Sequence, residues 1–441
     1  MLNLTKTYFF LFCLLAICML ISPGLIPFSD EAVAVCFLGV GFFDAIYNKK
    51  FKQYIPLIIT ISILSLYLIY SLLFCHFNIP RALLSDFFQH IKVFAFFGVS
   101  YAIGPKFSLA QKKFLKVLLT AIMAISIAIY STLLFGSTVF YDIFVNPYYI
   151  GNVFLCSVIT YMLFLDSNDW KLVKKNILYI ILIAIIGLTC GRSKYYGTIV
   201  FIFFILMIYK PGSFSKFTWK NFWIFTSLVS LVLIVAWQKI QYYFFSGEIE
   251  INAFDDESVS AFARPALYLG MILILIDYPL LGSGFASFGT IPSGPLGNYS
   301  SLYSKYGLDK VWGLSEDYGN FIGDAFFPGL AQFGLIGVVL FILCFIWLWR
   351  KLKLVLRIGG IVPYATGTVI LVSVLIDAIA SRGITSIMGE YLFSIIGLIL
   401  APVAKLNKKE QEELKSKDIT GTSIWNRIFN RKNKEKLIYG K

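Results

Sequence analysis

The stretch RPALYLGMILILIDYPLLGSGF, Arg264–Phe285, decides how this chain is threaded. Its centre, Ala266–Ile276, is apolar enough to pass for a membrane span but falls short of the ~20 residues a crossing helix needs. Asp277-Tyr278-Pro279 stops it. Charge decides the rest. If the segment crossed, Arg350, Lys351, Lys353 and Arg357 would face outward and the tail with them, against the other basic loops. The segment is therefore expected to dip into or lie on the outer leaflet, as a re-entrant or interfacial helix.

Working outward from it, the 441 residues are 58% hydrophobic and only 14% charged, too little polar surface to cover a soluble domain of this size. The chain reads as an all-α polytopic membrane protein. Candidate spans cover about 8–21, 32–47, 54–75, 89–104, 117–134, 149–165, 177–189, 197–209, 221–237, 326–348, 363–380 and 384–401, about twelve in all. The first has no small-residue cleavage site and reads as a retained helix. Residues 1–401 form a single transmembrane domain, with a large extracytoplasmic loop, 238–325, between spans nine and ten. A basic cytoplasmic tail, 402–441, follows.

Lys49, Lys50 and Lys52 mark one side, as do Lys106, Lys112, Lys113, Lys116, Lys171, Lys174, Lys175, Lys210, Lys216 and Lys220. Roughly three quarters of all Lys and Arg fall there, which makes that side cytoplasmic and places both termini on it. The net charge of +14 is thereby explained without nucleic acid. Seven scattered cysteines show no CxxC spacing, so neither a metal site nor a disulfide framework is expected.

Against that asymmetry, a few cations face outward. Arg192 and Lys194 sit in the turn Cys190-Gly191-Arg192-Ser193-Lys194, Arg264 heads the short helix, and Arg382 sits in Ser381-Arg382-Gly383. Each alone could snorkel to the interface or pair with an acid. Together, on separate turns, they suggest a basic cavity suited to a lipid-linked phosphate, because the guanidinium fork binds phosphate bidentately. Pro265 at the first helical position would leave Arg264 at a helix N-terminus, which also favours an anion.

The order of these features resembles the O-antigen ligase and polymerase family, most closely Wzy-type polysaccharide repeat-unit polymerases. Thr189-Cys190-Gly191-Arg192-Ser193 matches an arginine turn of that family. Arg264 followed by Pro279-Leu280-Leu281-Gly282-Ser283-Gly284 matches a second pattern. Gly323-Asp324-Ala325-Phe326-Phe327, then Gln332-Phe333-Gly334-Leu335-Ile336-Gly337, is similar to a third, and Asn146-Pro147 fits more loosely. The likeness spans roughly residues 140–400.

The resemblance implies a metal-independent glycosyltransferase without cofactors, acting on undecaprenyl-diphosphate-linked glycans, as donor and acceptor, outside the cytoplasmic membrane of a bacterium. Arg192 and Arg264 would hold the diphosphate, with Lys194, Gly282, Gly284, Arg382, Asp317 and Glu316 as further substrate-binding candidates. Membrane lipid, a chain-length regulator and a flippase are the other expected partners. A ligase would carry a histidine where Gly323 stands. Its absence favours repeat-unit polymerisation and leaves Asp324, Asp317 or Glu316 as candidate bases. A ligase, or a flippase for the same glycans, is the alternative.

Other signals read as structural first. Asp255-Asp256-Glu257 is expected to be a solvated acidic loop. Asp377 and Glu390, inside predicted spans, are functional candidates, with pairing to Arg382 as the simple account. His76 and His90 lie near the outer ends of spans three and four, where structural roles come first and a substrate role second. Tyr303, Tyr306, Trp312, Tyr318 and Phe321 suit sugar stacking or an interfacial belt equally. Ile424–Phe429 in the tail reads as a basic amphipathic patch on anionic lipid.

Overall fold

Proline and glycine fix the ends of the most central helix. Pro80 starts α4 (Pro80–Ile103) at its first turn, where no donor is lost, and Gly104 ends it in the left-handed conformation with φ +48°. A Cβ on Gly104 would come within 2.3 Å of the Ala401 Cβ, so the glycine also permits a close approach between helices. The computed structural model describes residues 4–22, 24–26, 28–136, 138–144, 148–165, 170–210, 213–214, 263–358, 360–406 and 410, with Trp219, Trp223, Thr226, Ser227, Ser230 and Trp237. Asp255-Asp256-Glu257, Asn146-Pro147, most of the ninth expected span and Ile424–Phe429 lie outside those residues.

The chain is almost wholly helical. Before α4 come α1 (Leu4–Ile21), α2 (Ser29–Tyr47) and α3 (Phe51–Phe74). After it come α5 (Leu109–Ser131), α6 (Val139–Phe144), α7 (Tyr148–Leu163), α8 (Trp170–Gly187) and α9 (Ser193–Ile208). The described part of the large loop contributes α10 (Ala263–Asp277) and α11 (Ser301–Lys305), and α12 (Phe326–Gly329) leads out of it. The last helices are α13 (Gly334–Arg357), α14 (Ile361–Ile379) and α15 (Ile387–Ala404). Two short strands, Tyr209–Lys210 and Ser213–Phe214, pair antiparallel.

Among the described residues, seven helices are long and apolar enough to cross a membrane, which makes this a multi-pass membrane protein. Eleven of the expected spans coincide with helices. The segments drawn short at 177–189 and 197–209 run as 18- and 16-residue helices, because their polar flanks join the helix rather than end it. Span two is α2, whose Asp30, Glu31 and Asp44 make it more acidic than an ordinary span.

α4 and α15 form the buried axis, while α3 turns Ile55, Ile58, Ile59, Leu66, Ile69 and Leu73 outward. A helix apolar on both faces is what a hydrocarbon surround requires. Glycines let the axis pack tightly: a Cβ on Gly397 would lie 2.5 Å from the Phe97 carbonyl oxygen. Polar ties run across it. Tyr8 Oη lies 2.5 Å from Ser100 Oγ, which is 3.0 Å from Ser394 Oγ, joining α1, α4 and α15. Deeper, Lys92 Nζ meets Asp30, Glu31 Oε1 at 2.9 Å and Glu390 Oε1 at 3.0 Å.

Residues 263–333 form a cap with its own core of Leu267, Ile274, Phe288, Leu302, Tyr303, Leu308 and Leu314. Asn78 fastens it by donating to the carbonyls of Ala286 at 2.8 Å and Asn298 at 2.6 Å. Asp86 Oδ2 accepts from the Ala286 N–H at 2.7 Å and the Thr290 hydroxyl at 3.2 Å.

Candidate functional site

Each of the cations singled out in the sequence is placed by a turn. Gly191, with φ +68°, ends the 3-10 turn Leu188–Cys190 that follows α8 and releases Arg192 just before α9. Arg192 and Lys194 then line a small cleft with Asn152, Tyr195 and Asp377. Lys194 Nζ lies 3.0 Å from Asp377 Oδ1 and donates to the Ala380 carbonyl at 3.3 Å. Ser381 Oγ donates to the other oxygen of the same carboxylate. Gly383 makes room for it, since a Cβ there would fall 1.6 Å from Asp377 Oδ2.

Arg382, in the same turn, donates to Tyr149 Oη at 3.0 Å. It lines a second cleft with Gln89, His90, Thr290, Gly323 and Thr385. The expected partners of the two intramembrane acids need correcting: the cation facing Asp377 is Lys194, and that facing Glu390 is Lys92. Arg382 is drawn away to Tyr149 because the turn Ser381–Thr385 breaks the helix between them.

Arg264 lies in the first turn of α10, which starts at Ala263, two residues earlier than its Pro265 suggests. Its guanidinium pairs with Asp324 and lies 5.8 Å from the Phe321 ring centroid. The closing motif is stitched to the Arg382 turn, because the Phe326 N–H donates to the Ser381 carbonyl at 3.0 Å. Lys194 also lies within electrostatic reach of Asp324 and Arg264. Segments far apart in sequence thus bring Arg192, Lys194, Arg264, Asp324, Asp377 and Arg382 to one end of the bundle.

Below the Arg382 cleft runs an apolar groove of about 440 Å³ between α3, α4, α13 and the start of α15. His90, Phe326, Leu330 and Thr385 belong to the walls of both. The Arg382 cleft is small, about 10 Å³, enough for about one water.

The other predicted residues are placed differently. Gly282 and Gly284, with φ +77° and +85°, give their backbone to packing: the Gly284 N–H donates to the Gln332 carbonyl at 2.9 Å. A Cβ on Gly282 would meet the Gly334 nitrogen at 2.3 Å. Glu316 and Asp317 are exposed on the cap beside Trp312 and Tyr318 and line neither cleft. At the end of α10, Lys305 and Tyr306 hydrogen-bond Asp277 at 2.6 and 2.7 Å and hold its carboxyl below the usual range. Burial, then the bond to Asp277, pushes the Tyr306 hydroxyl up to about 12.

His76 is exposed, whereas His90 is buried at the junction of groove and cleft. Asp86, Gln89, Lys92 and Tyr149 escaped the sequence reading; for the first three the available signal was the group of polar residues inside the otherwise apolar α4. Among the described residues, no group of three or more His, Cys, Asp or Glu could hold a metal ion. Compared with known protein families and with curated proteins, the chain matches none.

Proposed function

We propose that this protein is a polymerase that joins undecaprenyl-diphosphate-linked oligosaccharide repeat units at the outer face of the bacterial cytoplasmic membrane. The observation that carries this reading is the junction of an apolar groove with a cleft lined by Arg382, beside the Arg264–Asp324 pair and the Lys194–Asp377 pair. An isoprenoid chain needs the first, and the cations around the second supply the charge a diphosphate needs.

The topology belongs to the same proposal: about twelve spans, both termini cytoplasmic, and the cap outside. Supporting it, Lys405 donates to the carbonyls of Ile103 and Gly104 at 3.4 and 3.3 Å, so α4 and α15 end together at the lysine-rich side. Arg192, Arg264 and Arg382 gather at the other. Helix α10, with Ile272 and Ile276 exposed, suits the outer leaflet.

In the reaction, an acceptor hydroxyl attacks the anomeric carbon of the donor, and the bond to the lipid diphosphate breaks. Fixed cations aimed at the departing diphosphate stabilise the charge that develops there, without the reorganisation water would need. Arg264, Arg382, Arg192 and Lys194 take that part. Asp324 holds the Arg264 guanidinium in position. Gly323, standing where a ligase of the resembled family would carry its histidine, favours polymerisation over ligation.

The test replaces Arg192 and Arg264 by Ala in cells and follows both the lipid-linked units and polymer length. The reading predicts single units displayed outside while long chains vanish. Units trapped on the cytoplasmic face would instead identify a flippase, and long chains left on the lipid carrier a ligase.

A further inference from the structure

A transfer to a sugar hydroxyl needs a group to take the proton, and the fold supplies one that faces both halves of the site. His90 lies on α4, its ring in the wall shared by the apolar groove and the Arg382 cleft. Nδ1 sits 2.8 Å from the Asp86 carbonyl oxygen, which can only accept, so Nδ1 carries the hydrogen. Asp86 Oδ1 is 3.3 Å from the same nitrogen. In its neutral form the ring therefore presents Nε2 as a lone-pair acceptor.

The ring is fixed on every side. Asp86 is fully buried and anchored through its other oxygen to the Ala286 N–H and the Thr290 hydroxyl. Phe333 and Phe285 pack edge-on at centroid distances of 5.3 and 5.7 Å, which limits water. The charged groups facing His90 are Asp86 on its own helix and Arg382 from the turn before α15; Gln89, Thr290 and Thr385 are the neutral polar neighbours. Gly323 lines the same cleft.

We propose that His90 is the general base of the transfer and Asp86 the residue that positions it, an inference that rests on the polymerase reading. The acceptor oxygen forms its bond to the anomeric carbon as its proton passes to His90 Nε2. The bond from that carbon to the diphosphate oxygen breaks, and its electron pair leaves with the lipid diphosphate. The imidazolium then returns the proton to water.

The experiment uses the full chain in proteoliposomes with undecaprenyl-diphosphate-linked repeat units, scoring chain elongation per unit of monodisperse protein. His90→Gln keeps a packed polar side chain but provides no base. It is expected to lower kcat by about 100-fold or more, with KM for the lipid-linked donor little changed and the acidic limb of the pH–rate profile lost. His90→Ala is expected to regain elongation when imidazole is added. Elongation by His90→Gln within about threefold of wild type, or His90→Ala that imidazole does not restore, overturns the assignment of His90 alone. Wild-type protein that elongates nothing overturns the polymerase reading beneath it.

Discussion

The Arg264 guanidinium is paired with the Asp324 carboxylate, 60 positions away in sequence, and the pair lies where the cap closes onto the bundle. Its side chains are 27% and 33% exposed, so as a structural contact it contributes only about 0–1 kcal/mol. In the proposed reaction its value is in aiming a cation. Arg264→Ala should therefore leave the thermal midpoint nearly unchanged while lowering chain elongation by about 100-fold. Asp324→Asn should fall between the two. Equal destabilisation and inactivation by Arg264→Ala would reduce the pair to a structural clasp.

Gly383 gives a sharper structural test. A methyl there would overlap Asp377 Oδ2 and drive the carboxylate away from Lys194 and Ser381. Gly383→Ala is expected to cost about 1–3 kcal/mol and to reduce elongation. Thermal unfolding in detergent reads the first and a product ladder the second; a variant matching wild type in both would contradict the turn geometry.

Lys92 is one ammonium facing Asp30, Glu31 and Glu390 in the buried axis. Removing it leaves carboxylates without their counter-charge, which costs about 3–5 kcal/mol when the site is buried. Lys92→Met should unfold well below wild type, and adding Glu390→Gln should recover part of the loss. Additive losses in the double variant would show that the two groups are not coupled.

On the cap, Asp277 is held below the usual carboxylate range by Lys305 and Tyr306. A lowered folded value means stability that is present above the unfolded carboxylate range and lost as pH falls through the folded value. Hydrogen bonds to Asp277 and Tyr278 raise the Lys305 ammonium, whose contribution is present below the ordinary lysine range and lost as pH rises through its raised value. Melting curves of Asp277→Asn should flatten on the acid side relative to wild type. Unchanged acid sensitivity would place the titrating group elsewhere.

The helices and the candidate cations were legible in the sequence because both are local signals. An apolar run of sufficient length and a lysine-rich loop need no knowledge of the rest of the chain. Arg192, Arg264 and Arg382 stood out for the same reason. Lys92 did not, and His90 read as structural first: each is one of several polar residues in α4, and its meaning comes from partners elsewhere. For Lys92 these are Asp30, 62 positions back, and Glu390 near the other end of the chain. The Gly282-Ser283-Gly284 turn invited a ligand-binding reading, yet its positive φ values and its approach to Gly334 show why packing needs glycine there.

Reconstitution tests the central claim most directly. Purified full-length protein, in proteoliposomes containing only undecaprenyl-diphosphate-linked repeat units, should convert them into a ladder of longer lipid-linked chains. One undecaprenyl diphosphate should be released for each bond formed, and Arg382→Ala should abolish the ladder. Units that cross the bilayer without being joined, or a ladder that Arg382→Ala and Arg264→Ala leave intact, would contradict the account.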